Sequence, residues 1–208
     1  MEEQNRVQWV YASRNNAELA ERYDQWAKDY DSDLEQDFGW LGPQKAAEAF
    51  ARHVAKAAQV LDAGAGTGLV GQILASMGYT KLVAIDFSAG MLDEARKKDV
   101  YQEFHQMVMG ETLGFGNGAF DAVVSVGVLT VGHAPASSLD ELVRITRAGG
   151  HIVFSLRPDV YLDSGFKEKQ EALATAGKWR LVEEGEKFQP LSKGEPEVLH
   201  QVWVYQVS

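Results

Sequence analysis

The chain contains no cysteine. That excludes a disulfide scaffold, a cysteine-ligated zinc ribbon and a thiol nucleophile. No apolar run approaches the roughly 18 residues that would span a membrane, and Met1-Glu2-Glu3-Gln4 does not read as a signal peptide. The expectation is a cytoplasmic protein with no membrane partner. Positive charge is in deficit: 20 Lys and Arg face 30 Asp and Glu, for a formal charge of −10. Such a field repels phosphate backbones, so nucleic acid is a poor first choice of partner, although a local basic patch is compatible with it. No internal repeat or low-complexity tract is visible. Against these absences stand 45% hydrophobic and 24% charged residues, an ordinary globular composition. At 208 residues the chain suits one structural domain, and at that size about 70% of the unfolded surface is buried without disulfide or metal support.

The pattern divides into two parts. As far as Leu34 it is helical, with Asn16 as a cap and Leu19, Tyr23, Trp26 and Tyr30 recurring at three- and four-residue steps. Gly42-Pro43 breaks the chain, and an alanine-rich helix is predicted over 44–58. From Gln59, short apolar strands alternate with helices. Strands are predicted over 60–63, 81–87, 103–109, 120–128 and 151–156, and helices over 67–77, 88–98, 137–146 and 163–176. Residues 110–119 read as a loop. The alternation argues for βαβ units and a parallel sheet covered on both faces. Two last strands, 180–188 and 198–207, are joined by a connection over 189–196 too short for a crossover helix, so they pair antiparallel.

The strongest local signal is Val60-Leu61-Asp62-Ala63-Gly64-Ala65-Gly66-Thr67-Gly68, a strand running into a glycine turn and then a helix. Glycines allow the sharp turn and the close approach of a ligand to the backbone. Asp86 ends the next strand, where a carboxylate can accept hydrogen bonds from both hydroxyls of a ribose. Gly66-Thr67-Gly68-Leu69-Val70-Gly71 also satisfies the dinucleotide pattern Gly-x-Gly-x-x-Gly. Two features oppose a dinucleotide. Its first glycine does not follow the strand directly, and Asp62 stands where a pyrophosphate would rest. Two like charges at about 4 Å cost roughly 1 kcal/mol in water and about 4 kcal/mol near a protein surface. A ligand with an ammonium group gains from Asp62 instead. S-adenosylmethionine carries a ribose, an ammonium, a sulfonium and no phosphate, and it suits both acids.

The stretch 61–68 resembles motif I of the class I S-adenosylmethionine-dependent methyltransferases. The resemblance continues through Ala84-Ile85-Asp86-Phe87-Ser88 with Met91, then Gly110-Glu111, then 119–125, then Gly149-Gly150-His151-Ile152-Val153, covering about 59–156. The segment 23–31, Tyr-Asp-Gln-Trp-Ala-Lys-Asp-Tyr-Asp, followed by Gly42-Pro43, is similar to a narrower group, the Williams–Beuren syndrome region methyltransferase-like protein 27 family and its bacterial relatives. The resemblance implies an α/β Rossmann-like fold: a seven-stranded, mostly parallel sheet with an antiparallel last strand, helices on both faces and an N-terminal helical cap. Residues 1–43 would form the cap and 44–208 the methyltransferase domain.

By the same resemblance, Gly64, Ala65, Gly66, Thr67 and Gly68 lie under the methionine part of the cofactor, and Asp62 receives its amino group, in part through water. Asp86 binds the ribose, while Phe87 and Met91 flank the adenine. Gly110, Glu111 and Thr112 reach the adenine amino group, Glu111 standing where many relatives have Asp. Val126 and Gly127 line the methyl side, and Tyr30 closes over the methionine end. A ring beside a sulfonium gains about 0.5–2 kcal/mol from cation–π attraction. Tyr23, Trp26 and Leu129 become acceptor contacts; Tyr23 and Trp26 fit equally well as a stripe packing the first helix.

Methyl transfer from a sulfonium is displacement at an already activated carbon. Alignment can supply much of the rate, with effective molarities of about 10⁵ M or more, and a base is needed only for an acceptor that arrives protonated. Candidates for base or acceptor contact follow the strand ends: His133, Arg157 and Tyr161. His53, His105 and His200 are too scattered to suggest a metal site, and no metal is expected. The Asn/Asp-Pro-Pro-Tyr run of enzymes that methylate adenine or glutamine amino groups does not follow the fourth strand. A small-molecule acceptor with an O or N nucleophile is expected, S-adenosylhomocysteine being the other product. A protein acceptor, an NAD-dependent oxidoreductase and a non-catalytic cofactor-binding module all remain open on sequence alone, as does the oligomeric state.

Overall fold

In the computed structural model, residues 6–34, 38–130, 132–191, 193 and 197–208 are described. The expected connection 189–196 therefore lies partly outside them. The apolar run at 60–63 forms strand β1 (Val60–Ala63), buried along its whole length, as befits a strand covered on both faces. It sits between β2 (Leu82–Asp86) and β4 (Phe120–Ser125), parallel to both. Strand β3 (Glu103–Gln106) extends the sheet beyond β2, and β5 (Thr146–Leu156) pairs parallel with β4. The last strands are β6 (Trp179–Glu184) and β7 (Gln201–Val207). Strand β7 inserts between β5 and β6, antiparallel to each. The order is β3-β2-β1-β4-β5-β7-β6, so the expected seven-stranded Rossmann-like sheet is present.

Helices α4 (Leu69–Ser76), α5 (Ala89–Arg96), α6 (Ser138–Ile145) and α8 (Phe166–Thr175) fall inside the predicted spans. The core has two halves. One is built on Leu61, Val83, Val123, Ile152 and Phe154, the other on Val60, Leu82, Ala84, Ala122 and Val153. Alternate residues of each strand thus feed opposite faces. Several boundaries differ from expectation. Helix α3 (Gly42–His53) starts at the Gly-Pro pair instead of after it, because a proline in the first turn needs no hydrogen-bond partner for a missing N–H. Strand β5 begins before Gly149-Gly150, where a helix end was expected, and α7 (Pro158–Asp163) is an extra short helix opened by proline. Strands β2, β3 and β4 end earlier than predicted, because the chain leaves the sheet to build the crevice at their carboxyl ends. No helix among the described residues is long and apolar enough to cross a membrane.

Helices α1 (Arg6–Tyr11) and α2 (Asn16–Asp33) precede this core. Asn15, not Asn16, caps α2, its Oδ1 accepting from Glu18 N at 2.9 Å. Val7, Val10, Leu19, Trp26, Leu34, Phe38 and Leu191 form a third apolar cluster, with Tyr23, Tyr30, Trp40, Leu69 and Phe87 packed against it. Two acids of α2 fasten it to the sheet domain. Asp24 Oδ1 accepts from Ser88 Oγ at 2.5 Å and from Gly90 N at 2.8 Å, at the N-terminus of α5. Asp31 accepts from the Thr67 hydroxyl and pairs with Lys98. A carboxylate at a helix N-terminus meets unpartnered N–H groups and the positive end of the dipole.

Gly90 allows this approach: a Cβ there would lie 2.9 Å from Asp24 Cα. Gly90→Ala should favour α5 itself by about 0.8–1 kcal/mol through helix propensity while prising α2 away. Hydrogen exchange across 16–33 should accelerate in the variant and that of β1 and β4 should not. Unchanged protection of α2 would contradict the fastening.

Candidate active site

Strand β1 has β2 on one side and β4 on the other, so the chain reverses its winding direction there and leaves a crevice at the carboxyl ends of these strands. The glycine turn forms its floor. Gly64 and Gly66 have φ of +80° and +54°, a region that side chains disfavour. A Cβ at Gly64 would run into Val128, whereas one at Gly66 would meet nothing within 4 Å. Gly66 is thus an open cradle above the turn.

The crevice has two lobes sharing Gly64, Gly66, Val126, Gly127, Tyr23 and Tyr30. The first, of about 660 Å³, adds Asp86, Phe87, Met91 and His133. The second, of about 870 Å³, adds Ala65, Thr67, Trp26 and Arg157. Most of the residues expected at the site are therefore brought together. Asp86 Oδ2 accepts from Gly66 N at 2.8 Å and its Oδ1 from Ser88 N at 2.9 Å, tying the tip of β2 to the turn. Burial pushes this carboxyl up to about 6 against the pull of those backbone bonds. Tyr23 OH lies 2.9 Å from His133 Nε2, joining α2 to the loop after β4. Arg157 is braced by Asp159, with contacts of 3.0 and 2.6 Å.

Other expected residues sit elsewhere. Asp62 is buried and lines neither lobe; its Oδ2 accepts from Tyr101 OH at 2.6 Å, and its Oδ1 is buried with no hydrogen-bond partner. Burial pushes this carboxyl up to about 7, with the Tyr101 hydrogen bond opposing and the Asp86 charge adding to the rise. Gly68 caps α4 and packs on Tyr101 instead of lining a lobe. Gly110 and Glu111 lie in an adjoining depression that shares Asn16, Val108, Met109 and His133 with the first lobe, and Thr112 is exposed. Met107, Val108 and Met109 line the first lobe in their stead, because β3 stops at Gln106 and the chain crosses the crevice earlier. Leu129 is buried in the core, and Tyr161 packs on Trp203 with ring centroids 4.9 Å apart; neither lines a lobe. Trp40 and His200 of the second lobe, and the acids Asp24 and Asp31, were not singled out from sequence. Only Asp24 and Asp31 carried a signal there, as acids spaced seven apart on the line of α2 next to that of Tyr23 and Tyr30.

These residues fit a phosphate-free nucleoside cation. The described lining of the first lobe has one acid, Asp86, and no lysine or arginine. A pyrophosphate would find no cation there, while Asp86 and the orphaned Asp62 oxygen both await donors or positive charge.

The two raised carboxyls have a consequence for stability. Each holds its proton to higher pH in the folded than in the unfolded chain. The stability they contribute is therefore complete below the ordinary value of 3.8 and is lost as pH rises through about 6 for Asp86 and about 7 for Asp62. Each tenfold change in proton affinity is worth about 1.4 kcal/mol. Asp62→Asn should accordingly melt several degrees above the wild type at pH 8, and the gap should close towards pH 5. A gap independent of pH would show that Asp62 does not titrate in this range.

A methyltransferase domain model matches residues 61–154. The human methyltransferase-like protein 27 is 33% identical over 181 residues, covering 82% of this chain and 73% of that protein. A demethylmenaquinone methyltransferase of Clavibacter sepedonicus is 37% identical over 122 residues, 56% of this chain and about half (49%) of that protein. Among solved structures, the [4+2]-cyclase SpnF superposes with a TM-score of 0.73 at 13% identity, covering 94% of this chain and 97% of that one, a likeness of fold alone. The oxidoreductase alternative falls with these matches: the chain belongs to the class I S-adenosylmethionine-dependent methyltransferases, with S-adenosylmethionine as its methyl donor.

Proposed function

We propose that the chain methylates an O or N nucleophile of a small, largely apolar molecule held in the second lobe. The observation that carries this reading is the continuity of the two lobes. They meet over Gly64, Gly66, Val126 and Gly127, where a donor in the first would face an acceptor in the second. Bound S-adenosylmethionine supplies a sulfonium-activated methyl group. Asp86 holds the ribose, Phe87, Met91 and Met107–Met109 enclose the adenine, and Tyr30 covers the junction between the lobes.

The walls of the second lobe, among them Val7, Val10, Trp26, Leu34, Trp40 and Leu191, are apolar or aromatic. They suit a hydrophobic acceptor and exclude water from the reacting atoms. Arg157 gives that lobe a positive charge for an acidic group on the acceptor. The Tyr23–His133 pair stands beside the junction and takes up a proton where the acceptor arrives protonated. Helices α1 and α2 form a cap over the lobes, with α2 as its inner wall. The demethylmenaquinone methyltransferase named above supports a small-molecule acceptor.

Calorimetry with S-adenosylhomocysteine tests the reading. Saturable binding at micromolar concentration is expected, and its absence at high micromolar concentration would remove it. Asp86→Ala should weaken that binding by more than about tenfold, roughly 1.4 kcal/mol; an unchanged affinity would displace the ribose assignment.

A further inference from the structure

Tyr101 comes from the loop between α5 and β3, is buried and lines neither lobe. It nevertheless joins the strand, the turn and the helix of the glycine motif. Its hydroxyl donates to Asp62 Oδ2 at 2.6 Å and accepts from Gly71 N at 3.1 Å. Gly71 is the third residue of α4, so its N–H is among those a helix cannot satisfy internally. The N-cap, Gly68, has no side chain to serve the first turn, and the Tyr101 oxygen does so from outside. Space for the ring comes from the same glycines. A Cβ at Gly71 would overlap the Tyr101 hydroxyl, and one at Gly68 would lie 3.0 Å from the ring Cε2.

Asp62 is therefore half satisfied. One oxygen is fixed by Tyr101, and the other is buried without a donor. A buried carboxylate oxygen left in that state is costly unless a donor or a positive charge arrives.

We infer that Tyr101 is a positioning residue for the amino-acid end of the cofactor: it holds Asp62 Oδ2 and so dedicates Oδ1 to the ligand's ammonium group, directly or through one water. The inference rests on the placement of S-adenosylmethionine proposed above. One charged group, Asp86, bears on Asp62. It adds to the cost that burial sets on ionisation, while the Tyr101 hydroxyl and the Gly71 N–H favour it. Without the Tyr101 hydroxyl, Asp62 keeps its proton to higher pH and has no charge to offer a cation at neutrality.

The test compares S-adenosylhomocysteine with 5′-methylthioadenosine by calorimetry between about pH 5.5 and 7.5, a range in which the ligand ammonium stays charged. The second probe keeps the nucleoside and the sulfur but lacks the amino-acid end. Asp86 serves the ribose of both, so its own titration cancels to first order in the affinity ratio. In the wild type the preference for S-adenosylhomocysteine should rise with pH as Asp62 ionises. Tyr101→Phe should lower S-adenosylhomocysteine affinity about tenfold at pH 7, as a tenfold change in proton affinity implies, and leave 5′-methylthioadenosine within about twofold. The rise in the ratio should move to higher pH. Asp62→Asn, which keeps the shape and the Tyr101 contact, should make the ratio flat.

A parallel loss of both ligands in Tyr101→Phe would reduce Tyr101 to a packing role and overturn the inference, as would an unchanged ratio. Should Tyr101→Phe fail to fold, a wild-type ratio that stays flat with pH, or an Asp62→Asn ratio that still varies, overturns it equally. Failure of the wild type to bind either probe would instead overturn the cofactor placement itself.

Discussion

Two carboxylates buried at the tips of adjacent parallel strands are the constraint on which the crevice depends. Asp62 and Asp86 stand on β1 and β2; burial raises the resistance of both to ionisation, and like charge adds to it, from Asp86 at Asp62 and from Asp24 at Asp86. Once they are ionised, their burial opposes folding above neutrality. Their compensation within the protein is partial: backbone N–H groups of the turn serve Asp86, and Tyr101 serves one oxygen of Asp62. What is missing is positive charge and further donors. A ribose and an ammonium group supply both, so ligand chemistry completes a hydrogen-bond set that the chain leaves open.

The N-terminal helices answer a related problem. A crevice at the strand ends exposes the helix N-termini of α4 and α5 and an apolar floor. Asp24 and Asp31 bring negative charge to those helix starts and to Lys98, while Trp26, Tyr23 and Tyr30 cover the apolar part. The same helix thus supplies polar fastening along one line and aromatic wall along another, which is what three- and four-residue periodicity permits.

The sheet and the glycine turn were legible because their signals are local. Buried strands read as short apolar runs, glycines mark the turn, and Asp86 follows at a strand end. Asp24, Asp31 and Tyr101 were not legible in role. Tyr101 meets Asp62 across 39 residues and Asp24 meets Ser88 across 64, and no period or spacing encodes such encounters. Asp62 shows the boundary well. Its charge and its place at the strand tip could be read, but the fixing of one of its oxygens depends on a tyrosine whose sequence context is unremarkable. Thr112, Leu129 and Tyr161 illustrate the converse, since a position just past a strand end leads towards the crevice only if the chain leaves the sheet at the expected residue.

The pattern Gly66-x-Gly68-x-x-Gly71 has a different physical content here from the one its spacing suggests. In a dinucleotide site the second glycine admits the pyrophosphate and the third brings helix and strand together. In this chain the room left by Gly68 and Gly71 is taken by Tyr101, and the Gly66 N–H of the turn is already bonded to the Asp86 carboxyl. A small residue records only that something must approach closely. The charge of the neighbouring side chains decides what that something is, and at this turn Asp86, with no lysine or arginine in the described lining of the first lobe, decides against an anion.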